Sequence, residues 1–277
     1  LQMLSWSRCF MRRLASSASS ASALVKRKRF YKKVNLVSDQ ENGQSRYMVT
    51  LDGSILNTRG GSRLKIESEG LAHAIAEEWA SQPEFLDLGR MRFTGLAFTA
   101  TDNPNHLNRE SVTSKILEYL TTDTILFYSP ENEQLFKAQR AHWDQVIKDA
   151  NADLGTSLEP IVDLFNFKTV KDEDLKKFEA WLLSYNFWAL TGMQYAVEAC
   201  KSVLLPLGLV RHRLTAPDAV RLGLLEQQVQ SETWGTVEWA HGMEEEELAS
   251  RLSAAALFVY FNSNHEQIRS TKVAGSP

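Results

Sequence analysis

The residues best suited to chemistry lie between Leu222 and Gly242, in the stretch LGLLEQQVQSETWGTVEWAHG. His241 follows Glu238 by three positions, and the acidic run Glu244 to Glu247 starts three positions after His241. A histidine beside a carboxylate is a pairing that general acid–base catalysis uses. The sequence therefore offers one enzymatic hypothesis, in which His241 and Glu238 transfer a proton.

The remaining sequence gives this hypothesis little support. It contains no phosphate-binding loop, no dinucleotide-binding glycine motif, no H-E-x-x-H zinc motif and no G-x-S-x-G nucleophile motif. The six histidines never lie four residues apart, so a helix-borne pair of metal ligands is unsupported. Cys9 and Cys200 lie in different segments, which favours a reducing compartment without disulfides. We expect no catalytic residue, metal, cofactor or small-molecule substrate.

The same stretch is better suited to holding another protein. Trp234 and Trp239 each combine a large apolar face with one N–H donor, a combination enriched at protein interfaces, although tryptophans also serve as core anchors. The preceding segment carries acidic and amide side chains. The candidate residues for binding a client protein are Glu226, Gln227, Glu232 and Trp239.

The first 29 residues differ in composition from everything that follows. No Asp or Glu precedes Asp39, whereas serine and basic residues are abundant. An arginine-rich, serine-rich and acid-free segment is typical of a mitochondrial transit peptide, and an apolar secretory core is missing. The alternative is a basic arm that binds nucleic acid or anionic lipid. We predict a transit peptide over residues 1–29.

Charge and hydropathy narrow the classes of partner. Residues 34–277 contain 22 Lys+Arg and 34 Asp+Glu, a formal charge of 22 − 34 = −12. Nucleic-acid binding depends largely on Lys and Arg displacing counterions, so such an acidic body is poorly suited to it. The longest apolar run, from Ala254 to Phe261, is too short for a membrane span.

Residues 30–130 have the pattern of an α+β domain. Apolar residues alternate with polar ones around Val34 and from Tyr47 to Leu51, Asp52-Gly53 suits a type I′ turn, and Leu64 with Ile66 predicts one more short strand. Leu71, Ala74, Ile75 and Trp79 then follow helical spacing. The apolar segment TILFYS, residues 124–129, is interpreted as a strand returning to an antiparallel sheet with helices covering one face.

Residues 131–265 are predicted to form an all-α bundle domain, followed by a flexible tail over 266–277. Capping boxes are expected at Thr169 with Asp172 and at Thr215 with Asp218. The helix that starts at Thr169 should be followed by a second helix that ends at Pro206 and Gly208. The helix that starts at Thr215 should continue to Gly235. The final helix is expected to start at the run of glutamates 244–247, whose charges suit its positive end.

Six sequence blocks occur in order along the chain: RFYKKVNL at 29–36, YMVTLDGSILNT at 47–58, LAHAIAEEW at 71–79, LAFTATD at 96–102, TD with ILFY at 122–128, and WGTVEWAH at 234–241. Together they resemble the mitochondrial F1-ATPase assembly chaperone family that attends the alpha subunit. The similarity spans roughly residues 29–261, and the blocks occur in the family's order.

The resemblance implies a matrix protein that binds newly imported F1 alpha subunit and prevents its aggregation before the F1 sector of ATP synthase assembles. It also implies two domains, an α+β one followed by a helical one, and no ATP hydrolysis by the chaperone itself. The alternatives are a constitutive structural subunit of a mitochondrial complex and an enzyme that uses His241 and Glu238.

The chain departs from the family pattern at several positions. Where the family carries leucine followed by two or three glutamates, this sequence has Leu225, Glu226, Gln227 and Gln228, so only Glu226 keeps its charge. Arg92 stands where the family has proline after methionine. These changes indicate a divergent member whose client surface has diverged as well.

Overall fold

A computed structural model describes residues 27–41, 43–163, 170–234 and 238–263, including all their side chains except those of residues 233, 234 and 238–241. The described chain starts with a three-stranded antiparallel sheet in the order β1-β2-β3, formed by β1 (Val34–Glu41), β2 (Gln44–Leu51) and β3 (Ser54–Ile55). Val34 pairs with Leu51 in β2. Helices follow, so the predicted order of an α+β region and then a helical region is confirmed.

The turn between β2 and β3 has the predicted conformation. Asp52 and Gly53 both adopt positive φ, at 48° and 88°, as a type I′ turn requires. The Asp52 carboxylate also accepts the backbone N–H groups of Lys32 and Lys33 at 2.7–3.1 Å. The turn is therefore held by its own geometry and by the chain that leads into β1.

The strand predicted at Leu64 and Ile66 is instead a pair of isolated contacts. Ile66 and Tyr47 exchange backbone hydrogen bonds of 2.8 and 2.9 Å, and Leu64 N donates to Leu56 O at 3.1 Å. Leu64 and Ile66 are fully buried. Burial of their side chains in the core, rather than a continuous ladder, accounts for the alternation seen in the sequence.

Three helices complete the first part of the chain, α1 (Glu69–Ala80), α2 (Arg92–Asp102) and α3 (Arg109–Leu120). Leu71, Ile75 and Trp79 are buried on α1, which packs against β1 and β2, as the helical spacing predicted. The α3 helix carries its buried residues into a different core, that of the later helices.

The predicted strand TILFYS is wrong. Residues Thr124–Leu126 form a 3-10 turn, and the bridge between Phe127 and Ile161 is isolated and parallel, outside the sheet. The segment is apolar because Ile125 and Leu126 are buried among helices, not because it joins the sheet. An apolar run of this length does not itself distinguish a strand from another buried segment.

The helical region contains seven helices in the described residues, several of them ending at sites other than those predicted. They are α4 (Glu133–Leu154), α5 (Asp172–Leu183), α6 (Phe187–Cys200), α7 (Leu204–Val210), α8 (Ala216–Gly223), α9 (Leu225–Trp234) and α10 (Glu238–Asn262). The Thr215–Asp218 capping box is present at the start of α8. Thr169 lies outside the described residues, and α5 begins after Lys171, which makes no side-chain cap.

Two predicted helix boundaries are wrong for local reasons. Pro206 and Gly208 do not end a helix but lie inside α7, where Pro206 occupies the first turn and its missing N–H removes no intrahelical bond. The last helix starts at Glu238, so Glu244 lies more than a turn inside it. A run of acidic residues therefore predicts roughly where a helix starts, but not the residue at which it starts.

The described residues form two apolar cores, and α10 contributes to both. Leu252 and Val259 pack in the helical core, whereas Phe258 is fully buried in the core of the sheet region. Phe258 stacks on Trp188 with a centroid distance of 6.0 Å. The domain boundary at residue 130 stays a prediction; α3, which precedes it, packs with the later helices.

Candidate functional site

The helix that carries three of the four candidate residues is separated from α8 by a break. Sequence analysis predicted one helix from Thr215 to Gly235, but α8 ends at Gly223 and α9 starts at Leu225. The indole N–H of Trp143, on α4, donates to the Leu222 carbonyl at 3.0 Å, beside the break. Packing against α4 thus redirects the chain, and it brings α9 alongside the start of α4.

Glu226 is half-buried and is bound to the helical core. The Gln139 amide donates to its carboxylate at 3.1 Å, and Gln139 itself is fully buried on α4. Gln139 also accepts the Ser129 backbone N–H at 2.9 Å. Glu226 is therefore partly an anchor for α9, and not a freely exposed charge.

The electrostatic environment of Glu226 is unfavourable for a carboxylate. Burial raises the pKa of Glu226, the hydrogen bond from Gln139 opposes this shift, and the negative charge of Glu131 raises the pKa further. Glu131 lies just before α4 and is exposed. A positive group placed between the two carboxylates would relieve their repulsion.

The other candidates differ in their surroundings. Gln227 is exposed, and Glu232 is exposed and accepts a hydrogen bond from the Gln134 amide at 3.2 Å. The backbone of Trp239 lies in the first turn of α10, and its side chain lies outside the described side chains, as do those of His241 and Glu238. Glu226, Gln227 and Glu232 thus lie on α9, and Glu226 and Glu232 contact α4.

The start of α4 adds residues that sequence analysis did not select. Glu131, Glu133, Gln134 and Lys137 line a shallow open depression beside α9, and Lys137 pairs with Glu133 at 2.6 Å. We call the surface formed by Glu131, Glu133, Glu226 and Glu232 the α4/α9 acidic face. About ninety positions separate its two halves in the chain, and the contacts between Gln139 and Glu226 and between Gln134 and Glu232 bring them together.

The acidic run on α10 forms a second charged surface. Glu244, Glu245 and Glu246 are exposed next to Met243, whose exposed fraction is 65%. Glu247 differs from them, because it accepts hydrogen bonds from Arg251 at 2.8 Å and from Arg92 at 2.5 Å. Three of the four glutamates therefore face solvent, and the fourth ties α10 to α2.

Asp123 and Cys200, whose pKa values are strongly shifted, are buried in the protein interior. Burial raises the pKa of Asp123 to about 6 and that of Cys200 to about 12. The Asp123 carboxylate accepts the backbone N–H groups of Val203 and Leu204 at 2.6 and 3.1 Å, which caps the start of α7. Among the described residues, no group of three or more His, Cys, Asp or Glu side chains is arranged to hold a metal ion, and no helix is long and apolar enough to cross a membrane.

Known proteins resemble this chain over most of its length. The ATP12 chaperone protein family model matches residues 28–151. The mitochondrial protein atp12 of Schizosaccharomyces pombe is 29% identical over 266 residues, covering 92% of this chain and 89% of that protein. The mitochondrial protein ATP12 of Saccharomyces cerevisiae is 23% identical over 273 residues, with coverages of 84% and 83%.

A solved bacterial structure shares the fold. The crystal structure of Atp12 from Paracoccus denitrificans matches with a TM-score of 0.74 and 28% identity, covering 85% of this chain and 98% of that one. The family model ends within α4, whereas this structural match covers most of the chain. The match in fold therefore extends well into the helical region.

Proposed function

Since this chain belongs to the ATP12 chaperone family, we propose that it is a non-enzymatic assembly factor of the mitochondrial matrix. It binds the unassembled alpha subunit of the F1-ATPase and keeps it from aggregating before the F1 sector of ATP synthase forms. The predicted transit peptide over residues 1–29 and the mitochondrial names of the two fungal relatives support the compartment.

The physical task of such a chaperone is to cover a surface that is meant for another subunit. An unassembled subunit exposes the apolar area that it will later bury, and such patches promote aggregation. A chaperone that must later release the subunit should bind it in a specific orientation and with modest affinity. Charged contacts at an interface contribute mainly to encounter rate and orientation, so an acidic surface suits reversible capture.

The observation that carries the site assignment is the α4/α9 acidic face. Glu131 and Glu133 line an open depression at the start of α4, in which Lys137 is the one cation among the lining residues. Glu226 and Glu232 on α9 contact α4 through Gln139 and Gln134. The repulsion between Glu131 and Glu226 is an unfavourable energy that a basic side chain of the client would remove on binding. We therefore assign this face to contact with Lys or Arg residues of the alpha subunit.

The function is tested by removing the protein from cells and following the alpha subunit. We expect alpha subunit to accumulate in the insoluble matrix fraction and assembled F1 to fall. Soluble alpha subunit with normal F1 would contradict the proposal. Gel filtration of matrix extract addresses the main alternative, because a permanent subunit would elute with the finished complex, whereas a chaperone elutes free or with alpha subunit alone.

The site is tested by charge reversal at its exposed members. Glu131→Lys and Glu232→Lys should each weaken co-purification of alpha subunit while changing the unfolding free energy by less than about 0.5 kcal/mol, since both side chains are exposed. Glu179→Lys on α5, an exposed acid outside this face, is the matched control. Equal capture by all three variants would remove the α4/α9 acidic face from the binding site.

Glu226 needs a different substitution because it also anchors α9. Glu226→Lys would place a cation against the Gln139 amide donor and disturb the fold as well as the face. Glu226→Gln removes the charge and keeps an oxygen that can accept from Gln139. Weaker capture of alpha subunit by Glu226→Gln, at unchanged melting temperature, would assign the charge itself to binding.

A further inference from the structure

Residues 27–29, which composition places at the end of the basic leader, pair with the segment that follows α1. Arg29 N donates to Glu84 O at 2.7 Å, and Leu86 N donates to Arg27 O at 2.9 Å. Lys28 lies opposite Phe85 in this short antiparallel pairing. The described chain therefore joins the sheet region before the predicted leader boundary at residue 29.

The side chain of Arg29 caps the end of α1. Its Nη1 donates to the carbonyl oxygens of Gln82 at 2.6 Å and Ala80 at 3.2 Å, while Nε donates to Tyr31 O at 3.2 Å. Carbonyl groups at a helix C-terminus lack intrahelical partners, and a cation there is favoured by the helix dipole. Because α1 has no basic residue in its own last turn, Arg29 supplies that cation.

Packing holds Arg29 in this position. Its guanidinium carbon lies 4.7 Å from the centroid of the Tyr31 ring, and Tyr31 has an exposed fraction of only 4%. The Tyr31 hydroxyl donates to Trp79 O at 2.7 Å, on the last turn of α1. Arg29, Tyr31 and the end of α1 thus form one connected unit, which we call the α1 clamp.

We propose that the leader is removed by cleavage on the N-terminal side of Arg27, so that the mature chain keeps Arg27–Arg29 as part of its folded body. This inference rests on the proposed import into mitochondria. In the cleavage step, water adds across one peptide bond, the released leader gains a carboxylate, and the mature chain gains an α-amino group. Cleavage after Arg29 would instead remove the guanidinium and both backbone hydrogen bonds from the α1 clamp.

The cleavage site is determined by identifying the N-terminal residue of the imported protein. The radiolabelled full chain is imported into isolated mitochondria, and the N-terminal residue of the shortened product is identified by mass spectrometry after labelling of free amines. We expect a first residue at Arg27 or before it. A product that starts at Phe30 or later overturns the inference.

The import product, read together with depletion of the protein from cells, separates this inference from the proposed function. A chain that enters mitochondria but is never shortened would overturn the cleavage inference alone. Normal shortening before Arg27, together with alpha subunit that stays soluble after depletion, would overturn the chaperone assignment alone. A cut after Arg29 with insoluble alpha subunit would overturn only the inference drawn here.

The structural role of the retained residues is measured by thermal unfolding of the full chain. Arg29→Ala should lower the melting temperature by several degrees, and Arg29→Lys should recover part of the loss, because lysine restores the charge but not the fork of donors. Lys28→Ala is the control, since both side chains of the 3.0 Å ion pair between Lys28 and Glu84 are exposed. Equal melting temperatures for Arg29→Ala and Lys28→Ala would overturn the α1 clamp.

Discussion

The sheet region and the helical region differ in how far apart in sequence their key partners lie. β1, β2 and β3 are joined by tight turns, and each strand pairs with its neighbour in the chain. The helical region instead depends on long-range contacts, such as those of Asp123 with Val203 and of Trp143 with Leu222. Local pairings leave a signature in the sequence, whereas distant contacts leave almost none.

The two regions differ in formal charge. Residues 30–130 contain 10 Lys+Arg and 13 Asp+Glu, a formal charge of −3. Residues 131–265 contain 12 and 20, a formal charge of −8. The acidity of the chain is therefore concentrated in the helical region, which also carries the α4/α9 acidic face. This distribution favours the helical region as the part that meets a basic client surface.

The α10 helix prevents the two regions from being independent. It supplies Phe258 to the sheet core and Leu252 to the helical core, and Glu247 pairs with Arg92 on α2. Gly192 on α6 lies against Phe258 so closely that an added Cβ would be 3.0 Å from the ring. One helix thus connects both cores, and the strength of this connection can be measured.

The largest effect is expected from Phe258→Ala. Removal of this fully buried ring from the sheet core should lower the unfolding free energy by about 3–5 kcal/mol. It should also separate the two regions, so that calorimetry shows two unfolding transitions instead of one. Leu257→Ala, at a neighbour with an exposed fraction of 47%, is the control. Similar losses for both variants would contradict the connecting role of Phe258.

A smaller but substantial loss is expected from Asp123→Ala, which removes the carboxylate that caps the start of α7 in the helical region. The variant leaves the backbone N–H groups of Ile125, Val203 and Leu204 without their acceptor in a buried site. We expect a loss of about 2–3 kcal/mol in chemical denaturation. Asp87→Ala removes an exposed cap of Gly89 in the sheet region and should cost less than about 1 kcal/mol. A larger loss from Asp87→Ala would reverse the comparison.

Asp123 should also make stability depend on pH. Its pKa is raised from 3.8 to about 6, mainly by burial, against opposing hydrogen bonds from Ser202 and backbone N–H groups. The folded state therefore binds the proton more tightly than the unfolded state. The resulting stabilisation is complete below about pH 4 and is lost as the pH rises through about 6. The unfolding free energy of the wild type, relative to Asp123→Asn, should fall between these values; a constant or rising difference would contradict the burial effect.

The smallest effect is expected at the ion pair between Arg92 and Glu247. A double-mutant cycle with Arg92→Ala and Glu247→Gln should give a coupling of at most about 1 kcal/mol, because the Glu247 side chain is 44% exposed. High salt should reduce it. Glu246→Gln replaces an exposed neighbour and should show no coupling to Arg92→Ala. Equal coupling at both glutamates would remove this pair from the connection between regions.

Arg92 stands at a position where the resemblance to the family implies a proline. It is the first residue of α2, a position where proline is favoured because the N–H there has no intrahelical partner. Arginine meets the same backbone requirement, and its guanidinium reaches Glu247 on α10. Arg92 therefore both starts α2 and forms a contact between the two regions.

The sequence by itself determined the features that depend on neighbouring residues. Asp52-Gly53 specified a turn because both positions need positive φ, the spacing of Leu71 and Ile75 specified the buried side of α1, and Thr215 with Asp218 specified a helix start. Each of these signals acts over a few residues, where the backbone alone sets the geometry.

Only the tertiary structure decided the features that depend on distant partners. It placed Ile125 among helices instead of in the sheet, divided the Thr215 helix at Leu224, and turned Glu226 toward Gln139. It also placed the start of α4 beside α9, so that acidic residues far apart in the chain form the α4/α9 acidic face. Burial and hydrogen bonding in a packed core outweigh the small local preferences of such segments, so their conformation is set by residues that lie far away in the chain.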